Sequence, residues 1–165
     1  MAAFLAVLWG WTGLAYHLLY FTAINPAAYA FGGLFLLQAA LFAWWGVVRG
    51  GLRFRTDDSV RQALAGAVLL YALVLYPLAG AAAGQRYMAS PTFGAPCPAV
   101  IYTFGLLLLA RRVPPWLVVI PVAWAVIGTS AVFAFGVVQD LGLVVSGAVY
   151  LAARAFRPAP LPAGA

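Results

Sequence analysis

The 165-residue chain is 66% apolar by residue type, has a formal net charge of +6, and contains no lysine and no glutamate. A single soluble core of this length cannot bury that much apolar side chain, which excludes an ordinary soluble domain. The basic balance does not point to nucleic acid either. The arginines sit in short gaps between long apolar runs, not on a clustered basic face.

A bilayer core of about 30 Å needs roughly 20 apolar residues per helix. Six runs qualify or come close, at residues 2–21, 26–48, 63–83, 98–110, 114–135 and 140–155. The spacing therefore predicts an all-α polytopic membrane helical bundle of about six transmembrane helices. The first run, opening "MAAFLAVLWGW", lacks a positive leader region and is read as a retained span. Asn25 and Pro26 supply a cap and a first helical residue for the second. Pro114 and Pro115 start the fifth, in which Pro121 is expected to kink the helix. Asp140 is positioned to cap the sixth.

The fourth run stands apart. Its 13 or so apolar residues reach only about 20 Å at 1.5 Å per residue. The Pro/Gly-broken tract 91–97 before it is expected either to dip into the membrane or to sit where the bilayer thins. Pro98 suits the first helical position, which would put Cys97 at the N-cap beside free N–H groups.

Orientation follows from the arginines. With six spans, Arg49, Arg53, Arg55, Arg61, Arg111, Arg112, Arg154 and Arg157 fall on one face and only Arg86 on the other. The positive-inside rule makes the first face cytoplasmic, with both termini there. Trp44, Trp45 and Trp116 fit an inner aromatic belt, and Tyr20, Tyr29 and Tyr87 an outer one. A single transmembrane domain is expected over residues 1–157, with a disordered Pro/Ala-rich tail at 158–165.

The stretches "GLAYHLLYFTAINPAAYAFGGLFLLQ", "YPLAGAAAGQRY", "PTFGAPCPAVIYTFGLLLLA" and "QDLGLVVSG" together resemble an uncharacterised family of bacterial multi-pass membrane proteins, domain of unknown function 6064. The likeness covers most of residues 8–147 and is most specific around Cys97. It implies a bacterial inner-membrane location and no established chemistry. Some members of the family carry the label of transporter permease. Members usually have one further apolar segment at the N-terminus, so the resemblance implies that this chain lacks it.

Topology places His17, Arg86, Tyr87, Cys97 and Asp140 towards the outer surface, with Gln38 deeper. These six are the candidate ligand-binding residues. His17 is an ionisable group inside the membrane, suited to relaying a proton or to bonding a neighbouring carbonyl. Cys97 reads either as a small buried hydrophobe or as a reactive or ligating thiol. Arg86 could hold an anion, pair with Asp140, or be solvated.

Three functions fit. The leading one is a small permease or ligand-binding membrane subunit with an outward-facing pocket of His17, Arg86, Cys97 and Asp140. The second is soft-metal handling of the copper type by Cys97, Met88 and His17. The third is a non-catalytic structural subunit of a larger membrane complex. An enzyme is not expected, because no carboxylate pair, triad or phosphate-binding loop is present. No cofactor is expected. The expected partners are the lipid bilayer, a small-molecule or ion ligand, and a second copy or a membrane-complex subunit.

Overall fold

The structure is a computed structural model that describes residues 1–84 and 94–156. Its described residues form six helices. They are α1 (Ala2–Ala23), α2 (Ala28–Val48), α3 (Ser59–Ala82), α4 (Pro96–Leu109), α5 (Val119–Phe135) and α6 (Leu141–Ala155). Short 3-10 turns, Pro115–Val118 and Val138–Asp140, lead into α5 and α6. Among the described residues the only extended pairing is an isolated bridge between Phe54 and Ala110. The expected tail at 158–165 lies outside the described residues.

Helices α1, α2 and α3 are long and apolar enough to cross a membrane. Their apolar residues run all round the helix, yet only about a third or less of each span is buried by protein. A helix apolar on every side needs an apolar surrounding on every side. Exposed Val7, Leu14, Leu19, Leu70 and Leu73 are the surface that results.

Helix α4 is the opposite case. Most of its side chains are buried, from Pro96 and Pro98 through Ile101 and Phe104 to Leu108. It is the central post, with α1, α3, α5 and α6 packed round it. Gly105 lets α3 approach closely, since a Cβ there would lie 2.8 Å from Leu69 Cγ. The indole N–H of Trp9 in α1 donates to Thr103 Oγ1 of α4 at 2.9 Å. At 14 residues α4 is about 21 Å long. Its shortness is reconciled by depth. The hydroxyl of Thr12, at the midpoint of α1, donates to Gly94 O at 3.2 Å as well as to Leu8 O. The chain just before α4 therefore sits about 16 Å below the far end of α1. Gly94 reaches this position at φ +113°, a conformation that favours glycine.

The arginine-bearing connections meet at one end of the bundle. Arg111 N donates to Arg53 O at 2.9 Å. Arg61 Nη2 donates to Ala110 O at 2.9 Å, and Arg154 Nη2 to Val113 O at 3.0 Å. Trp44, Trp45 and Trp116 pack together there, and the Arg49 guanidinium sits over Trp44. The N-terminus shares that end, because Gly46 of α2 packs against Ala2.

Local chemistry sets the ends of the helices. Asp58 Oδ1 accepts from Val60 N and Arg61 N and starts α3. Asn25 Oδ1 accepts from Ala27 N, so it does cap the turn that leads into α2. Pro121 falls where the 3-10 turn Pro115–Val118 has run into α5, and its missing N–H leaves Leu117 O, four residues back, to accept from Gln38 Nε2. Three π-helical stretches, Thr12–Tyr20, Phe42–Val48 and Tyr71–Leu75, widen α1, α2 and α3. The last has a clear cause. Pro77 cannot donate to Leu73 O, and its ring crowds that carbonyl.

Packing of α6 on α3 depends on Gly142, where a Cβ would collide with the Tyr71 ring. Gly142→Val should therefore lower the thermal stability of the detergent-solubilised protein, costing about 1–3 kcal/mol. Gly66→Ala, where nothing lies within 4 Å, should be neutral or stabilising by up to about 1 kcal/mol. Circular-dichroism melts of the two variants test both expectations.

Candidate functional site

The two prolines at the head of α4 shape the site. A helix start leaves backbone N–H groups without partners, and inside an apolar bundle each must be dealt with. Pro96 and Pro98 carry no N–H, and Ala99 N donates to Ala95 O at 3.3 Å. Cys97 between them is thus in the first turn of α4, not at the N-cap, which is Ala95. Few free donors remain, so this helix start is a poor anion cradle. That corrects the expectation drawn from its dipole.

An acidic side chain stands at this helix start instead. The Asp140 carboxyl contacts the Cys97 thiol in the first turn of α4. The Tyr76 hydroxyl donates to Asp140 Oδ1 at 2.5 Å, and both residues are buried. One turn back along α3, the Tyr71 hydroxyl donates to Gln139 O at 2.7 Å. Two tyrosines five residues apart can both grip the turn before α6 because the chain between them is π-helical, with an i to i+5 repeat. Asp140 occupies the N-cap position of α6, but its side chain makes no capping bond. The expected cap role is corrected by the Tyr76 bond, which takes the carboxyl into the bundle.

Cys97 also faces Trp124 of α5, a weak thiol contact, since the indole Nε1 has no hydrogen bond of ordinary geometry. Trp124 joins this group to His17. The His17 and Trp124 ring centroids are 5.2 Å apart, edge to face. His17 lies fully buried among Tyr16, Phe21, Phe31 and Phe35 as well, and neither of its ring nitrogens has a hydrogen-bond partner.

Of the sequence candidates, His17, Cys97 and Asp140 are therefore brought into one neighbourhood, linked through Trp124. Gln38 is not part of it. Its Nε2 donates to Leu117 O at 2.9 Å, towards the arginine end of the bundle. Leu117 lies seven residues, or about 10 Å of axis, from Trp124. Arg86 and Tyr87 lie outside the described residues, as does Met88. Among the described residues no three His, Cys, Asp or Glu side chains gather as a metal site would require. Sequence reasoning missed Trp124, Tyr16 and Tyr71 and left Tyr76 unassigned. The one readable cue was a pair of tyrosines five apart just ahead of Pro77.

Depth is the last element of the geometry. Asp140 meets α3 six residues short of its end at Ala82, or about 9 Å inside the bundle. Both α4 and α6 thus begin below the level reached by α1 and α3, with the polar side chains gathered at their starts.

No curated protein and no solved structure matches the chain. A model for a family of unknown function, DUF6064, matches residues 1–159, and the chain belongs to that family.

Proposed function

We propose that the protein is a multi-pass protein of the bacterial inner membrane. In this reading it is a small permease or ligand-binding subunit whose polar site at Cys97, Asp140, Tyr76 and His17 is entered from the arginine-poor side. The arginine end faces the cytoplasm and holds both termini. The observation that carries the reading is the gathering of a carboxyl, a thiol and a phenol at the start of a short, broken helix deep in an apolar bundle, with a neighbouring imidazole. Discontinuous helices are where transporters build their sites, and polar groups at such depth are costly unless used. With Asp140 already at the head of α4, the ligand class is cationic or neutral rather than anionic. The reading is of a non-enzymatic protein.

A structural subunit of a larger membrane complex is the second reading. It is favoured by the near-complete burial of His17, Tyr76 and Asp140. Soft-metal handling by Cys97, Met88 and His17 turns on Met88, which lies outside the described residues.

Cys97 is the chain's only cysteine and is partly exposed, so it reports on access directly. In intact cells a membrane-impermeant maleimide should label Cys97 slowly, and Tyr76→Phe should speed the reaction. No labelling until the protein is denatured would favour the structural reading.

Tyr76→Phe also strips a hydrogen bond from a buried carboxyl. It should cost about 1–3 kcal/mol in thermal or denaturant unfolding.

Orientation is tested in a Cys97→Ala background. A cysteine at Thr56 should react with the impermeant reagent only after permeabilisation, and one at Val138 without it. The reverse pattern would invert the proposed topology.

A further inference from the structure

Helices α3 and α6 both pack on α4 but touch each other little, and a groove of about 340 Å³ opens between them on the outer surface. Leu64, Ala67, Tyr71, Leu141, Val145 and Val149 form its walls. The lining is almost wholly apolar. Its one hydroxyl besides Tyr71, that of Ser146, is turned to its own helix, donating to Leu143 O at 3.0 Å. The groove runs along about 10–12 Å of helix axis. One end is closed where Tyr71 packs over Gly142 and bonds Gln139 O.

The other end runs towards the arginines. Arg61 lies one turn before Leu64 on the same face of α3, and Arg154 lies near the end of α6. Both reach the carbonyls of the linker after α4, at Ala110 and Val113. Arg154 Nη1 is buried with no hydrogen-bond partner. Arg112 is exposed beside them, whereas Arg111 is paired with Asp57 at 3.2 Å.

We propose that this groove holds one acyl chain of an anionic phospholipid, whose phosphate docks at the exposed Arg112 within the field of Arg61 and Arg154. The shape and charge select this occupant. A helix of a second copy is about 10–12 Å across and packs along most of its length, which a groove this short does not offer. A parallel second copy would also bring two arginine-rich ends together, whereas an anionic lipid neutralises them. The inference rests on the membrane embedding proposed above and is independent of the polar site.

The test is native mass spectrometry of detergent-purified protein given equal amounts of phosphatidylglycerol and phosphatidylcholine. Wild type should retain one phosphatidylglycerol in preference. Ala67→Phe and Val145→Phe fill the groove from exposed positions that carry no packing, and each should remove the retained lipid. Arg112→Gln should cut the preference for phosphatidylglycerol about fivefold, in line with the worth of one basic residue at a lipid surface. The inference is overturned if both phenylalanine variants keep the lipid, or if Arg112→Gln keeps the preference. It is equally overturned if inorganic phosphate raises the melting temperature as the lipid does, or if the phenylalanine variants convert a dimer to a monomer. Protein that stays soluble and folded without detergent would defeat the membrane reading itself. Loss of lipid retention alone would leave that reading standing.

Discussion

The rest of the structure depends on the burial of α4. It is an all-round apolar helix about 21 Å long, too short to cross a bilayer core of about 30 Å, and most of its side chains are buried by other helices. A helix in that position must begin inside the apolar region, and its backbone must be satisfied there without water. The chain meets the requirement by composition. Pro96 and Pro98 delete two of the donors that a helix start would otherwise leave open, and Thr12 supplies a donor to the carbonyl of Gly94. At the opposite end, Arg61 donates to Ala110 O at the C-cap and Arg154 to Val113 O in the linker beyond, placing positive charge where the helix dipole favours it.

These same substitutions decide the chemistry of the site. A helix start with its N–H groups intact would attract an anion. Here the imino acids have removed most of that attraction, and the Asp140 carboxyl stands in what remains of it. Asp140 is held there by Tyr76 from α3, and Tyr76 is kept in step with Tyr71 by the π-helical stretch that Pro77 imposes. One proline in α3 and two in α4 thus converge on one carboxyl.

The helices themselves were legible in the sequence because their signal is one of composition. Runs of apolar residues bounded by Asn25-Pro26 and Pro114-Pro115 mark where helices start, and the observed spans match the expected ones to within a few residues. The shortness of α4 was legible too, and of the two expectations for the tract before it, Gly94 beside Thr12 agrees with the one in which it dips. The site was legible only in part. His17, Cys97 and Asp140 stand out as polar residues in apolar surroundings, so composition finds them. Trp124 and Tyr71 look like any lipid-facing aromatic until the helix rotation is known. In α3 that rotation is changed by π turns that no 3.6-residue pattern reveals. Asp140 was misjudged as a cap because an acidic residue before a helix usually is one, and only tertiary packing offers it Tyr76 instead. Gln38 was grouped with the site on polarity alone, while its depth along α2 gave it a carbonyl in the linker to α5.

The distribution of satisfied and unsatisfied groups has a mechanical consequence. The C-terminal end of α4 is fastened by two guanidinium bonds, its N-terminal end by prolines and Thr12, and its middle by the Trp9–Thr103 bond. Moving α4 would break all of these together. The helices that bear His17 and Tyr76 are held differently. α1 and α3 carry π-helical stretches at the level of the site, His17 makes no hydrogen bond with its ring, and much of both helices faces outwards. A shift of α1 or α3 by a residue along such a stretch exchanges one backbone bond for another, whereas a shift of α4 exposes donors and acceptors to hydrocarbon. In the permease reading proposed above, opening of the polar site would therefore cost least when α1 or α3 moves against a fixed α4, leaving Cys97 and the head of its helix as the stationary wall.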